Sequence, residues 1–381
     1  MFSSTQFKEN TAMNEFSRKF GFGFMRLPEI SKGIYDIEET KKMVDTFMKA
    51  GFTYFDTAHG YCDGKSEGIL KEALVDRYPR DSYTITDKLS DGHFNKNEDI
   101  MPLFESQLKA VGVDYFDFYL MHAQDRNNFE KYKKCKAYET ALELKKEGKI
   151  KHFGISFHDT PEMLDKILTE YPQIEVVQIQ LNYIDFESPS VKSRECYEIC
   201  CKHNKPVIVM EPVKGGKLVK LPENAQKIFD DLNGKGSNAS YAIRFAAGLG
   251  NVVMVLSGMS DNSMVIDNVS YMKDFKPLNN DEKDAIKKVV EIFKKMDDIP
   301  CTACSYCTEH CPKDIPIPDI FSCINTNKHF TDWNQIYYYN VKTSGRGKAS
   351  DCIKCGRCEH ACPQHLEIRK LLEEAVEKFE K

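Results

Sequence analysis

Four side chains suited to acid–base chemistry lie at or just beyond the ends of short apolar runs in the first third of the chain. Asp56 closes the run that begins at residue 51, and Tyr61 lies five residues further on. Lys88 and His122 end the next two β-prone runs. A buried carboxylate is costly unless a cation pairs with it, so Asp56 needs a partner such as Lys88. The pattern predicts one acid–base constellation.

The cysteines form a second chemical feature. The chain has 14 of them, and most fall in two tight runs after residue 300. The runs are Cys301, Cys304, Cys307, Cys311 and Cys352, Cys355, Cys358, Cys362, with a proline after each fourth cysteine. This spacing binds [4Fe–4S] clusters, and in two-cluster ferredoxins the fourth cysteine of each run ligates the other cluster. The alternative, zinc, usually uses two separated Cys-x-x-Cys pairs. We therefore predict two [4Fe–4S] clusters with crossed ligation.

The elements that must position the four acid–base residues follow from the periodicity. Short β-branched runs alternate with amphipathic helical patterns about eight times from residue 22 to residue 272. Such alternation indicates parallel strands with right-handed crossovers. We expect a closed (β/α)8 TIM barrel, whose catalytic residues lie at the C-terminal ends of the strands. A doubly wound open sheet is the alternative, but no Gly-x-Gly-x-x-Gly turn follows the first strand.

Particular helices are also predicted. We expect helices over residues 66–77, 132–147 and 315–327, and one that begins at Thr160-Pro161, a good N-cap and first-turn pair. Residues 342–350, rich in Gly, Ser and Lys, are expected to form a loop.

Composition limits the functional classes. The 381 residues are 41% hydrophobic and 29% charged, with a net charge of -5, which is typical of a globular protein. This charge gives no field to attract nucleic acid, and no apolar run approaches the ~18 residues of a membrane span. The polar stretch before residue 20 lacks the apolar core of a signal peptide. We expect a cytoplasmic protein without nucleic-acid or membrane partners.

The order Asp56, Tyr61, Lys88, His122 resembles the catalytic tetrad of the aldo-keto reductase family. The resemblance covers nearly the whole chain as a reductase barrel fused to a dicluster ferredoxin domain. It implies a small carbonyl substrate and hydride transfer. We then expect Tyr61 to be the general acid and Lys88 to lower its pKa from about 10. Asp56 would anchor Lys88, and His122 would orient the carbonyl.

The resemblance also implies a nicotinamide cofactor, NAD(P)H. The residues expected to contact it are Met25, Arg26, Ser156, Gln178, Met210, Gly258, Met259, Ser260, Asp267 and Asn268. Some positions depart from the family. Phe157 replaces an expected Asn, Met210 an aromatic residue that stacks on the ring, and Met264 an Arg near the 2′-phosphate. The sequence therefore does not favour NADP over NAD.

The expected organisation is a barrel over residues 1–278, a connecting helix over 279–299 and a mostly α-helical dicluster ferredoxin-like domain over 300–381. The amphipathic segment 281–296, which includes Met296, spans roughly 24 Å as a helix. That length is close to the height of a barrel, so we expect it to return the chain, and Cys301, toward the catalytic face.

Three functional hypotheses remain open at this level. The first is an NAD(P)H-dependent carbonyl reductase whose clusters exchange electrons with a redox partner protein. A hydride carries two electrons together, whereas each cluster moves one. The second hypothesis therefore places a flavin, or another one-electron group, in the barrel mouth. The third is a non-catalytic structural or redox-sensing module, which the intact tetrad disfavours.

Overall fold

The structure, a computed structural model, describes residues 16, 18–188, 191–232, 236–295, 299–301, 303–329 and 333–381. In this part of the chain, no helix is both long and apolar enough to cross a membrane.

The N-terminal part is a closed barrel of parallel strands, which confirms the predicted (β/α)8 fold and excludes the open sheet. The barrel strands, in their order around it, are β1 (Phe20–Gly23), β4 (Tyr54–Asp56), β5 (Thr84–Leu89), β6 (Phe116–Gln124), β7 (Ile150–Phe157), β8 (Val176–Gln180), β9 (Val207–Met210) and β10 (Val252–Gly258). A small antiparallel pair, β2 (Glu29–Ser31) and β3 (Ile34–Tyr35), follows β1.

Helices alternate with these strands. They are α1 (Ile37–Lys49), α2 (Ser66–Leu70), α3 (Ile100–Val111), α4 (Arg126–Lys134), α5 (Ala137–Lys146), α6 (Pro161–Glu170), α7 (Ser193–Lys202), α8 (Glu223–Asp230), α9 (Asn238–Ala247), α10 (Asn262–Met272) and α11 (Asn280–Lys295). Thr160 caps α6 as predicted, because its side chain accepts a hydrogen bond from the N–H of Met163.

Two helix predictions need correction. The single helix expected over residues 132–147 is two helices, because Lys136 adopts a left-handed conformation (φ 55°) between α4 and α5. The helix expected over residues 66–77 is α-helical to Leu70 and continues as one π-helical turn over Lys71–Val75. Helix α8 lies in a stretch for which the sequence pattern predicted no helix.

The barrel has two apolar layers. Inside the barrel, Tyr54, Phe118, Leu120 and Met254 pack together, and Phe16 stacks on Phe118 with ring centroids 5.2 Å apart. Outside it, the barrel helices bury a larger aromatic and aliphatic core against the strands. The interior is thus a packed core rather than a pore, and the strand ends are left to carry the chemistry.

The C-terminal part is helical. Its helices are α12 (Tyr306–Glu309), α13 (Ile317–His329), α14 (Trp333–Thr343), α15 (Arg357–Ala361) and α16 (Ile368–Phe379). They bury a core of their own that includes Phe321, Tyr339 and Leu372. Helix α13 is shifted by two residues from the predicted 315–327. The loop expected from residue 342 begins only after Thr343, the last residue of α14.

The C-terminal helices dock on the catalytic face of the barrel. Val191, in the loop after β8, packs into their core together with Ile299. Tyr338 of α14 hydrogen-bonds Gln180 at the end of β8. These contacts confirm that the chain after α11 returns to the catalytic face. Met296, part of that expectation, lies outside the described residues, and the domain boundaries at 278/279 and 299/300 stay predictions.

A substitution at Gly154 can test how tightly the barrel wall is packed. A Cβ at this position would lie 2.6 Å from Val176 Cγ2 and 2.7 Å from both Leu120 Cδ2 and the Val176 carbonyl oxygen. We expect Gly154→Ala to cost about 1–3 kcal/mol and to lower Tm by several degrees in a circular dichroism melt. Gly250→Ala is the control, because nothing lies within 4 Å of the added carbon. Equal Tm values for the two variants would contradict the packing described here.

Candidate active site

The structure brings the four acid–base residues together at the C-terminal ends of β4, β5 and β6. Lys88 Nζ donates to Asp56 Oδ1 (2.6 Å) and to the carbonyl oxygen of Thr57 (2.7 Å). The same Nζ lies 4.8 Å from the ring centroid of Tyr61. The rings of Tyr61 and His122 meet edge to face, with centroids 5.7 Å apart. The predicted constellation therefore exists as one cluster.

The loop that carries Tyr61 is held by buried hydroxyls. Ser66 Oγ donates to the carbonyl oxygen of Phe24 (2.8 Å), and the Thr57 hydroxyl is 2.7 Å from Ser66 Oγ. Cys62 and Asp63 both have φ near 55°. Left-handed backbone is unfavourable for such residues and persists where the surroundings fix it. The Tyr61 loop thus has a defined shape before any ligand binds.

Burial and charge set the protonation of the cluster. Burial raises the pKa of Tyr61, and the nearby Lys88 cation opposes this shift without reversing it. The expected net lowering of the Tyr61 pKa is therefore wrong, because desolvation outweighs the lysine. Burial would lower the pKa of Lys88, but the Asp56 carboxylate holds it above its ordinary value. Burial, reinforced by Lys88, lowers the pKa of His122 well below its ordinary value, so this imidazole is neutral.

A cavity of about 280 Å³ opens above the tetrad. Asp56, Tyr61 and His122 line it together with the predicted cofactor residues Met25, Arg26, Gln178, Met210 and Gly258. Gln178 lines the cavity while its Nε2 donates to Asp56 Oδ2 (3.0 Å), and its contact with a nicotinamide stays a prediction. Ser156 is buried and its Oγ accepts from the N–H of Ala123 (2.7 Å), so its contact with a nicotinamide stays a prediction.

A second cavity of about 410 Å³ adjoins the first and shares Arg26, Glu211, Leu256 and Gly258 with it. The predicted residues Met259, Ser260, Asp267 and Asn268 all line it. Arg26 and Glu211 form an ion pair (3.2 Å) where the two cavities meet. The two cavities therefore form one cleft, which extends from the tetrad to the start of α10.

Sequence reasoning missed four polar residues that line the first cavity, namely His158, Glu211, Asn334 and Tyr337. His158 and Glu211 directly follow the C-terminal ends of β7 and β9, so the strand-end rule could have found them. Asn334 and Tyr337 belong to α14 of the C-terminal part, and no spacing in the sequence points to them. Burial lowers the pKa of His158 to about 4, so this residue also contributes a neutral ring.

The eight clustered cysteines surround two small voids in the C-terminal part. One void is lined by Cys301, Cys304, Cys307 and Cys362, and the other by Cys311, Cys352, Cys355 and Cys358. Each set combines three cysteines of one run with the fourth of the other, as the crossed ligation predicts. Four thiols around a shared void fit a [4Fe–4S] cluster. The remaining cysteines do not line these voids, and burial raises the pKa of Cys196 and Cys323 to about 12.

Comparison with known families gives two matches. A profile of the Aldo/keto reductase family matches residues 19–291, and a 4Fe-4S dicluster domain profile matches residues 300–367.

Individual proteins resemble the barrel part. A 9,11-endoperoxide prostaglandin H2 reductase from Trypanosoma cruzi is 26% identical over 207 residues, which are 52% of this chain and 67% of that protein. An NADH-specific methylglyoxal reductase from Escherichia coli is 27% identical over 198 residues, or 46% and 57% of the two chains.

Solved structures show the same fold. An aldo-keto reductase from Klebsiella pneumoniae in complex with NADPH is 19% identical with a TM-score of 0.59, covering 71% of this chain and 90% of that one. An aldo-keto reductase from Bacillus halodurans in its holo form is 24% identical with a TM-score of 0.56, covering 71% and 91%.

The two thiol sets can be tested by iron content. We expect Cys304→Ala and Cys362→Ala each to lose about half of the bound iron, because both remove a ligand of the same cluster. The double variant should lose no more than either single one, whereas Cys304→Ala with Cys311→Ala should lose nearly all. Cys323→Ala, a buried cysteine of the same domain, is the control. Additive losses for Cys304 and Cys362 would contradict the crossed ligation.

Proposed function

Because the chain is an oxidoreductase that belongs to the aldo/keto reductase family and carries a 4Fe-4S dicluster domain, we propose that its barrel reduces a small carbonyl compound with a nicotinamide nucleotide. The observation that carries the proposal is the cluster of Asp56, Tyr61, Lys88 and His122, of which Asp56, Tyr61 and His122 line one cavity. When bound, the nicotinamide supplies the hydride, and the chain supplies the proton and the orientation of the carbonyl.

Tyr61 is the proposed general acid. Its phenol is protonated because burial raises its pKa, so it has a proton to donate to the carbonyl oxygen as charge develops there. Lys88 stabilises the phenolate that remains, since its charged Nζ lies beside the ring. Asp56 keeps Lys88 in place and charged. These roles divide one proton transfer among three fixed groups.

His122 is the proposed carbonyl-orienting group. Its Nδ1 is 2.7 Å from Ser90 Oγ. If the Ser90 hydroxyl donates to Nδ1, the proton of the neutral ring resides on Nε2, which then donates to the carbonyl oxygen. The lowered pKa of His122 keeps the ring neutral, so it adds no second charge beside Lys88.

The adjoining 410 Å³ cavity is the proposed site for the rest of the nucleotide. Its lining combines Gly258, Ser260 and the start of α10, where backbone N–H groups favour a phosphate. Relatives of this chain include an NADH-specific enzyme and a protein bound to NADPH, so we propose NAD(P)H without a preference. None of the relatives named above is described with a flavin, and we do not carry the flavin-linked hypothesis forward.

The dicluster domain is proposed to connect this site to one-electron chemistry. When bound, its two clusters supply single-electron transfer. The two sets of four cysteines would hold the clusters in the domain whose helix α14 docks on the catalytic side of the barrel. Exchange of electrons with a redox partner protein stays a prediction.

The acid role can be tested by removing one hydroxyl. We expect Tyr61→Phe to lower kcat for NAD(P)H-dependent reduction of an aldehyde such as methylglyoxal by roughly 10²- to 10⁴-fold. Iron content should not change. Tyr78→Phe is the matched control, because the Tyr78 hydroxyl bonds Asp45 on the outer surface of the barrel (2.6 Å). Undiminished turnover by Tyr61→Phe would rule out the acid role.

The pH profile of kcat/KM gives a second test. Tyr61 donates its proton only below its pKa, which is raised, so activity should fall only at strongly alkaline pH. His122 is neutral at every pH above its lowered pKa, so we expect no inflection near pH ~6.5, where an ordinary histidine titrates. An inflection there that disappears in His122→Asn would show that this ring is charged near neutrality.

A further inference from the structure

The interface between the two parts of the chain contains a buried tyrosine. Tyr338 of α14 is almost completely buried, and its hydroxyl donates to Gln180 Oε1 (2.7 Å). Gln180 is the last residue of β8 and is itself buried. A helix of the dicluster domain therefore makes a direct polar contact with the end of a barrel strand.

The amide of Gln180 connects Tyr338 to a second buried residue, Asp185. Its Nε2 donates to Asp185 Oδ2 (2.7 Å), while its Oε1 accepts from Tyr338. An amide has one donor end and one acceptor end, and both partners select the same orientation. Without the Tyr338 hydroxyl, Oε1 becomes a buried acceptor without this donor, which destabilises the orientation in which Nε2 donates to Asp185.

Asp185 is a buried carboxylate that depends on its donors. Besides Gln180, it accepts from Asn182 Nδ2 (2.7 Å) and from Lys214 Nζ (2.6 Å). Lys214 is equally buried, with a side-chain exposure of 2%. Loss of one partner from such a pair is strongly destabilising, because it leaves an uncompensated charge in the interior. The position of Lys214 is thus tied to Asp185.

Lys214 belongs to a loop with unusual backbone. Glu211, Lys214, Gly215 and Gly216 all have positive φ, at 56°, 50°, 62° and 88°. For Glu211 and Lys214 this conformation is unfavourable unless other contacts impose it. The Asp185 carboxylate fixes the end of the Lys214 side chain, and Asn182 Nδ2 donates to the carbonyl oxygen of Glu211 (3.1 Å), so both residues are held by contacts from the β8 side.

The same loop forms one wall of the 410 Å³ cavity, through Glu211, Gly215 and Gly216. We propose that Tyr338 is a positioning residue through which the dicluster domain holds this loop in the shape that binds the nucleotide. The path runs from Tyr338 to Gln180, Asp185 and Lys214. This inference rests on the proposed nucleotide site, and it makes docking of the dicluster domain part of nucleotide recognition.

The test is direct nucleotide binding to the full-length, cluster-loaded protein. We expect Tyr338→Phe to raise the Kd for NADPH and for NADH, measured by calorimetry, roughly five-fold, as is typical for loss of one buried hydrogen bond. In turnover, KM for the nucleotide should rise while kcat at saturation changes little. Iron content should match that of the wild type.

Tyr339→Phe is the matched control. It removes a hydroxyl from the neighbouring position of α14, but the partners of that hydroxyl, Glu380 and the N–H of Ala349, lie within the dicluster domain. We expect its Kd for both nucleotides to equal that of the wild type. An increase as large as that of Tyr338→Phe would overturn the proposal, because it would show a general effect of weakening the domain.

Gln180→Met tests the path from the barrel side and does not depend on the folding of a Tyr338 variant. We expect it to weaken nucleotide binding at least as much as Tyr338→Phe, and the double variant to bind no more weakly than Gln180→Met alone. Unchanged Kd values, or additive effects, would overturn the path. Failure of the wild type itself to bind either nucleotide would instead refute the proposed function.

Discussion

The buried ion pair between Lys88 and Asp56 is the constraint on which the site depends. Their side chains are 0% and 5% exposed, so neither charge is solvated by bulk water. Thr57 and Gln178 complete their hydrogen bonds from two sides of the barrel. A pair of this kind contributes little net stability, yet removal of one partner costs about 3–5 kcal/mol. The presence of this buried ion pair is therefore explained better by a chemical role beside Tyr61 than by a contribution to stability.

Much of this arrangement could be predicted because it follows from local rules. Asp56, Lys88 and His122 lie at or within two residues of the ends of successive strands, and a closed parallel barrel places all strand ends on one face. The cysteine runs could be interpreted for a similar reason, since ligand spacing within each run is local. The periodicity of the intervening segments predicted the fold. It did not predict the break between α4 and α5, because that break depends on a single left-handed residue, Lys136.

The parts that could not be predicted are contacts between distant segments. Gln178 lines the cavity, but its hydrogen bond to Asp56 across the barrel was not predicted. The pKa of Tyr61 depends on how completely the barrel mouth is enclosed, which the sequence does not show, and burial outweighs the lysine. Tyr337 reaches the cavity because α14 docks on the catalytic face, and a docking geometry has no signature in residue spacing.

The nature of that docking bears on how the two kinds of chemistry are combined. Tyr337 bonds Asp125, Tyr338 bonds Gln180 and Ser344 bonds Asn127, and each barrel partner lies at or just beyond a strand end. Polar contacts of this kind contribute modestly to stability but are costly to leave unmade, so they fix geometry. A ferredoxin attached only by a linker would not need them. The dicluster domain therefore forms part of the wall of the cleft through Asn334 and Tyr337, and the eight cysteines that would hold its clusters lie at a defined position relative to the tetrad.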